Sequence, residues 1–281
     1  NSFLDYEDPL EIFSHLLVGA EGTLAFISDV TLYTIPDPPE KGTGLILFDS
    51  PERAGESVTF FKDLGASAIE FLDDESLRTA KHFESPPYDP DMVQIDHTGL
   101  LVEYQHESAD EIERLIQESR QFSNQDSSVV SMKLVTDEKD RDTIWKIRKG
   151  LYPTLGSLRK TGTSIITEDI AVDSQNLAPA IRKLKDIFSL CEFQDGVIFG
   201  HAKDGNLHFI TSVDLDDKRG VNNYERMMNE LSSMTLKDFN GSLKAEHGTG
   251  RNMAAFVESE WGGEIYAVSY THLTLPTILL V

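Results

Sequence analysis

Two hydrophobic periods alternate along the chain, and they divide it into strands and helices. Leu45 to Phe48, Leu100 to Tyr104 and Val129 to Leu134 are short apolar or alternating runs that predict strands. Residues 53–64 instead space Val58, Phe61 and Leu64 as one helical face. Ser108-x-x-Glu111 is a capping box opening a helix with Ile112, Leu115 and Ile116 inward. Asp137 caps a further helix reaching Lys149, and Ser174 begins another with Leu177, Ile181, Leu184 and Phe188 at helical spacing. Residues 222–239 predict a helix that buries Met227, Leu231 and Met234. Near the start, Pro9 to Val18 reads as a short amphipathic helix, then a Gly-bearing loop leads into an alternating strand, Ala25 to Ile35. The Pro-rich stretch from Pro36 to Gly42 marks a boundary. Strands separated by helices, with antiparallel hairpins, predict an α+β fold: an antiparallel-rich sheet covered by helices on one face.

Composition narrows the partners more than the fold. A net charge of −23, from 25 basic against 48 acidic residues, excludes the basic footprint of a nucleic-acid binder. It also offers no attraction to an anionic membrane, so membrane association is peripheral at most. The single cysteine, Cys191, excludes an intramolecular disulfide and fits a cytoplasmic location; it sits at an apolar helix end, as a core residue does. Residues 269–281 break from the charged sequence before them and read as a non-native tail, with an apolar terminal strand as the alternative.

Candidate chemistry concentrates at residues 197–210, where Asp204-Gly205 separates two apolar runs. Asp-Gly there predicts a two-residue type I′ hairpin that sets His201 directly opposite His208. Facing imidazoles can chelate one divalent metal, and a satisfied core histidine pair is the alternative. Glu246-His247 lies before Gly248 and Gly250, which permit the irregular backbone needed to bring both side chains to one place. Neutral imidazole with carboxylate suits zinc, or manganese or iron at looser geometry. Arg148, near a predicted helix end, is read either as a solvated cation or as a fork for a carboxylate. Thr167-Glu168-Asp169 ends a β-branched run and reads first as a strand terminus, with a paired carboxylate that orients a ligand as the alternative. These residues alone leave open a non-catalytic metal-binding module and a zinc hydrolase with water in the open position.

Four segments, in order, resemble FAD-linked oxidases of the vanillyl-alcohol oxidase type, in the branch acting on D-lactate, glycolate and D-2-hydroxyglutarate. They are GAEGTLAFISDVTL (19–32), WKIRKGL (145–151) with TEDIAV (167–172), GHAKDGNLHF (200–209) and AEHGTGR (245–251). The resemblance implies that residues 1–36 end an α+β FAD-binding domain and that residues 37–268 form the substrate domain. It implies His201, His208 and Glu246 as metal ligands, His247 as catalytic base and Arg148 as clamp on a substrate carboxylate. Gly19, Glu21, Gly22, Thr23 and Leu24 would contact FAD. The implied reaction is oxidation of a D-2-hydroxy acid to the 2-oxo acid, with the electron acceptor unspecified. The first 31 residues look closest to long bacterial members, which carry an iron–sulfur cluster in a further C-terminal region. Lys203 and Ile210 depart from the pattern, where relatives have Gly and, in some, Asn.

Overall fold

The computed structural model describes residues 2–20, 22 and 24–269. The chain divides into two compact units, Asn1–Pro36 with Gly248–Val281, and Asp37–His247. In the first lie the short helices α1 (Ser2–Asp5) and α2 (Pro9–Gly19), the latter capped by the Asp8 carboxylate on the Leu10 N–H. The predicted strand over residues 25–35 does not form among the described residues. A lone strand leaves its N–H and C=O groups unpaired, and the described residues of this unit form no neighbouring strand to take them. Phe26 and Tyr33 stand almost fully exposed. Alternation in this segment therefore marks β propensity without a partner.

The second unit is built on one antiparallel sheet of seven strands, in the order β4-β1-β3-β2-β6-β7-β5. The strands are β1 (Glu40–Phe48), β2 (Ala68–Leu72), β3 (Thr98–His106), β4 (Val129–Val135), β5 (Ser164–Ala171), β6 (Val197–His201) and β7 (Asn206–Val213). Between them run α3 (Pro51–Asp63), α4 (Asp74–Arg78), α5 (Ala109–Gln125), α6 (Glu138–Leu158), α7 (Leu177–Leu190) and α8 (Lys218–Ser233). A π turn over Met234–Asp238 extends α8. The strand β2 was not anticipated, because five residues are too short to show a period.

One face carries α5, α3 and α7 side by side. A Cβ at Gly42 would press on Ile112 and Ile116 of α5, and Phe60 of α3 stacks on Phe122 of α5. Phe188 of α7 meets Phe209 of β7 edge-on. On the opposite face Ile144, Ile147 and Leu151 of α6, with Leu77 of α4 and Val93, join Leu45, Leu47, Leu101 and Phe199 in one buried cluster. Asp137 caps α6 as expected, its carboxylate accepting the Asp140 N–H. The helix does not stop near Lys149 but runs through Pro153 to Leu158. The Ser108 side chain makes no capping bond, although α5 begins at the next residue; its N–H is instead donated to His106 Nδ1.

Candidate functional site

The sheet itself brings the site together. Residues opposite one another in neighbouring strands share a face, and the registers Glu70↔His201, Phe199↔His208 and Asp169↔His208 lay one row of polar groups across β2, β6, β7 and β5. This row lies on the face that α6 covers only in part.

The hairpin differs from the expected one. His208 stands opposite Phe199, not His201, and the connection is a 3₁₀ turn over Ala202–Asp204 closed by Gly205 at φ 68°. The type I′ turn is excluded because a helical turn precedes the single left-handed residue. Lys203 belongs to that turn and is tied by its ammonium to Ala66 O. The two histidines still share a face, and their rings meet edge-on with centroids 5.2 Å apart. Gly200 is required between them, since a Cβ there would lie 2.1 Å from Asn206 O.

Glu246 completes the cluster. Its Oε1 lies 3.3 Å from His201 Nε2 and 3.1 Å from His208 Nε2. Ligand atoms about 2.1 Å from a first-row metal stand about 3.0–3.4 Å from one another at octahedral to tetrahedral angles. His208 Nε2 is buried and makes no hydrogen bond despite the nearby carboxylate. Burial pushes the His208 pKa down to about 4, with the Arg148 charge acting in the same direction, so the imidazole is neutral at pH 7. A neutral, buried, unpartnered nitrogen beside a carboxylate oxygen and a second imidazole is a donor set that fits a divalent cation.

Glu70 is a residue the sequence reading missed. It is buried; its Oε1 is 2.6 Å from His201 Nδ1 and its Oε2 accepts Arg148 Nε–H at 2.8 Å. Burial works to raise its pKa, but His201 and Arg148 outweigh that and hold the carboxyl below the usual range. The hydrogen bond to Glu70, opposed by burial, raises the His201 pKa. A proton held on Nδ1 by Glu70 leaves Nε2 free towards Glu246. The signal was in the sequence: an acid within the apolar run Ala68–Leu72 has to be paired. Glu103, inside β3, repeats it by accepting the Trp145 indole N–H at 2.5 Å. Trp145 and Arg148 are one turn apart, so two buried carboxylates tie α6 to the sheet.

Arg148 is mostly buried, with its guanidinium 4.4 Å above the Phe199 ring centroid. Its Nη1 and Nη2 have no hydrogen-bond partner among the described residues. Asp169, read from sequence as a strand terminus or a ligand-orienting acid, is fully buried beside His208. Its Oδ2 accepts the N–H groups of Glu246 at 2.7 Å and His247 at 3.1 Å. Two adjacent amides held by one carboxylate are what turns both side chains of Glu246-His247 to the same region. The His247 ring lies 5.0 Å from that of His208. Cys191 is buried and free.

Of the residues expected to contact FAD, Gly19 ends α2, Gly22 adopts φ 77° and Leu24 is exposed. Glu21 and Thr23 lie outside the described residues, as does the expected tail beyond Ser269.

Fold and site define an α+β domain that presents a His–His–Glu donor set and an open guanidinium on one sheet face. The chain belongs to the FAD linked oxidases, whose C-terminal domain it matches over residues 37–269. It is 25% identical to a glycolate oxidase subunit of Bacillus subtilis, over 87% of this chain and 50% of that one. It is 26% identical to a D-2-hydroxyglutarate dehydrogenase of Haemophilus influenzae, over 95% of this chain and 26% of the relative. A D-lactate dehydrogenase of Anaerostipes hadrus is 24% identical, over 88% of this chain and 52% of its own. The chain thus spans between about a quarter and about half of these relatives. Among solved structures, 4-ethylphenol oxidase from Gulosibacter chungangensis shares the fold with a TM-score of 0.56 at 13% identity, covering 85% of this chain and 51% of that one. No helix among the described residues is long and apolar enough to cross a membrane.

Proposed function

We propose that this chain is the substrate-binding part of an FAD-linked, metal-dependent dehydrogenase that oxidises a D-2-hydroxy acid to the 2-oxo acid. The observation that carries the reading is the convergence of His201 Nε2, His208 Nε2 and Glu246 Oε1 on the face that also presents Arg148. These three would hold the metal, zinc or else manganese or iron. When bound, the metal would supply Lewis acidity to a hydroxyl and FAD would supply the acceptor for a hydride.

This chain's own side chains do the rest. Arg148 receives the substrate carboxylate on Nη1 and Nη2 while Glu70 holds Nε, so the guanidinium cannot rotate. That fixes the acid about its carboxylate, which is an orientation effect. His247 takes the hydroxyl proton as general base. An iron–sulfur cluster would need several thiolates, and with Cys191 as the single cysteine this chain does not furnish them. The cytoplasmic location is supported by that same free thiol.

Calorimetric titration of the chain with zinc and with manganese tests the metal site. His208→Ala is expected to weaken binding more than tenfold, and equal affinities remove His208 from the ligand set. The reaction is tested in the full-length protein with a panel of D-2-hydroxy acids and a dye acceptor. Reduction of the dye by none of them overturns the assignment.

A further inference from the structure

Asp169 has more to do than hold a loop. Its side chain is completely buried, yet Oδ1 makes no hydrogen bond. A buried carboxylate oxygen without a donor is costly and calls for a physical reason. Asn206 Nδ2 donates to Oδ2 at 3.5 Å, and the imidazole of His247 faces the other oxygen, with its Nδ1 3.9 Å from Oδ1. The gap to a hydrogen bond is about 1 Å, which a small rotation of the half-exposed His247 ring closes. The backbone of His247 is already pinned, because Oδ2 of the same carboxylate accepts its N–H.

We infer that Asp169 is the positioning residue for His247, receiving Nδ1–H on Oδ1 so that the unprotonated Nε2 is presented to the substrate hydroxyl. The inference rests on the reading of His247 as the base. It requires only one tautomer: with Nδ1–H committed to Asp169, the lone pair can sit only on Nε2. It also accounts for the strand position of Asp169. The residue stands opposite His208 in the ladder, and the His247 ring lies 5.0 Å from that of His208, so the carboxylate and the imidazole meet on one face. The rival role is metal ligand, since the donor atoms of Asp169, His208 and His247 also lie within 4.8 Å of one another.

Asp169→Asn separates the roles. The Asn oxygen keeps the two loop amides, while its NH2 group can no longer accept from Nδ1 and the imidazole turns over to the other tautomer. The expected result, in the histidine-15N-labelled chain, is His247 protonated on Nδ1 in the parent and on Nε2 in the variant. Metal affinity by calorimetry is expected to stay within threefold. In the full-length enzyme kcat should fall about 100-fold to 10,000-fold with little change in KM, as removal of an orienting carboxylate does in other histidine-base enzymes. An unchanged tautomer in the variant overturns the inference. So does a loss of metal affinity as large as that of Glu246→Ala, which would make Asp169 a ligand. A full-length parent that oxidises no 2-hydroxy acid sinks the functional reading, while the tautomer measurement still decides the role of Asp169.

Discussion

Glu70→Gln is the sharpest test of how this face works, because one carboxylate serves two partners. The substitution keeps shape and removes charge. Gln retains one acceptor oxygen, so either the bond to His201 Nδ1 at 2.6 Å or the bond to Arg148 Nε at 2.8 Å must be given up. Hydrogen bonds to charged groups contribute about 1.5–3 kcal/mol each. If His201 loses its orienting partner, metal affinity should fall about 10-fold to 100-fold, or about 1.4–2.7 kcal/mol. The charge beside Arg148 is gone in either case; if the guanidinium also loses its acceptor, the folded state should weaken by about 1–3 kcal/mol. That range is set below the usual figure for a broken buried pair because His201 and Arg148 keep some access to water.

Two assays divide these outcomes. Calorimetric titration with zinc reads the first, and urea unfolding with a chelator present reads the second. The total of the two losses should be at least about 1 kcal/mol, whichever partner the amide favours. Metal affinity within twofold of the parent, together with an unchanged unfolding midpoint, would refute the bridging role of Glu70.

Two further substitutions probe other parts of the unit. Arg148→Lys keeps the charge but loses Nε–H and the planar fork, so KM for 2-hydroxy acids in the full-length enzyme should rise at least about tenfold; unchanged kinetics would take Arg148 out of the carboxylate role. Asp73 is buried, with Oδ2 unpartnered, and burial pushes its pKa up to about 7. A carboxyl whose folded pKa lies above the unfolded value of about 3.9 weakens folding as pH rises through that window, so Asp73→Asn should gain about 3 kcal/mol relative to the parent between pH 5 and pH 8, read as urea midpoints. The same difference at both pH values would show that Asp73 stays ionised in the fold.

Long periodic segments were legible and short or solitary ones were not. The helices α3, α5, α7 and α8 carry stripes of several apolar residues, and Val58, Ile112, Leu184 and Met227 are buried where those stripes put them. β2 escaped notice because only its place between β3 and β6 makes it a strand. Residues 25–35 failed for the reverse reason, since alternation records a preference that pairing alone can realise. Glu70 and Glu103 were legible as acids in apolar runs that need a partner, but which partner was not, since Arg148 and Trp145 reach them from α6.

The histidine pair shows why a wrong register can leave a site intact. The connection between β6 and β7 is two residues longer than a type I′ turn allows, so every pairing in the hairpin is displaced by two positions. Side chains alternate with a period of two, and a shift by that number returns each one to its original face. His201 therefore leaves its place opposite His208 but stays diagonal to it, within reach of the same carboxylate oxygen of Glu246. The vacated position goes to Phe199, which stacks on His208 and lies beneath the Arg148 guanidinium. His201 gains Glu70 of β2 as its cross-strand partner. A displacement by one residue would have sent His201 to the face held by α3, α5 and α7. The longer turn thus separates the histidines enough to give each its own neighbour, an aromatic ring for one and a carboxylate for the other, while both still face Glu246.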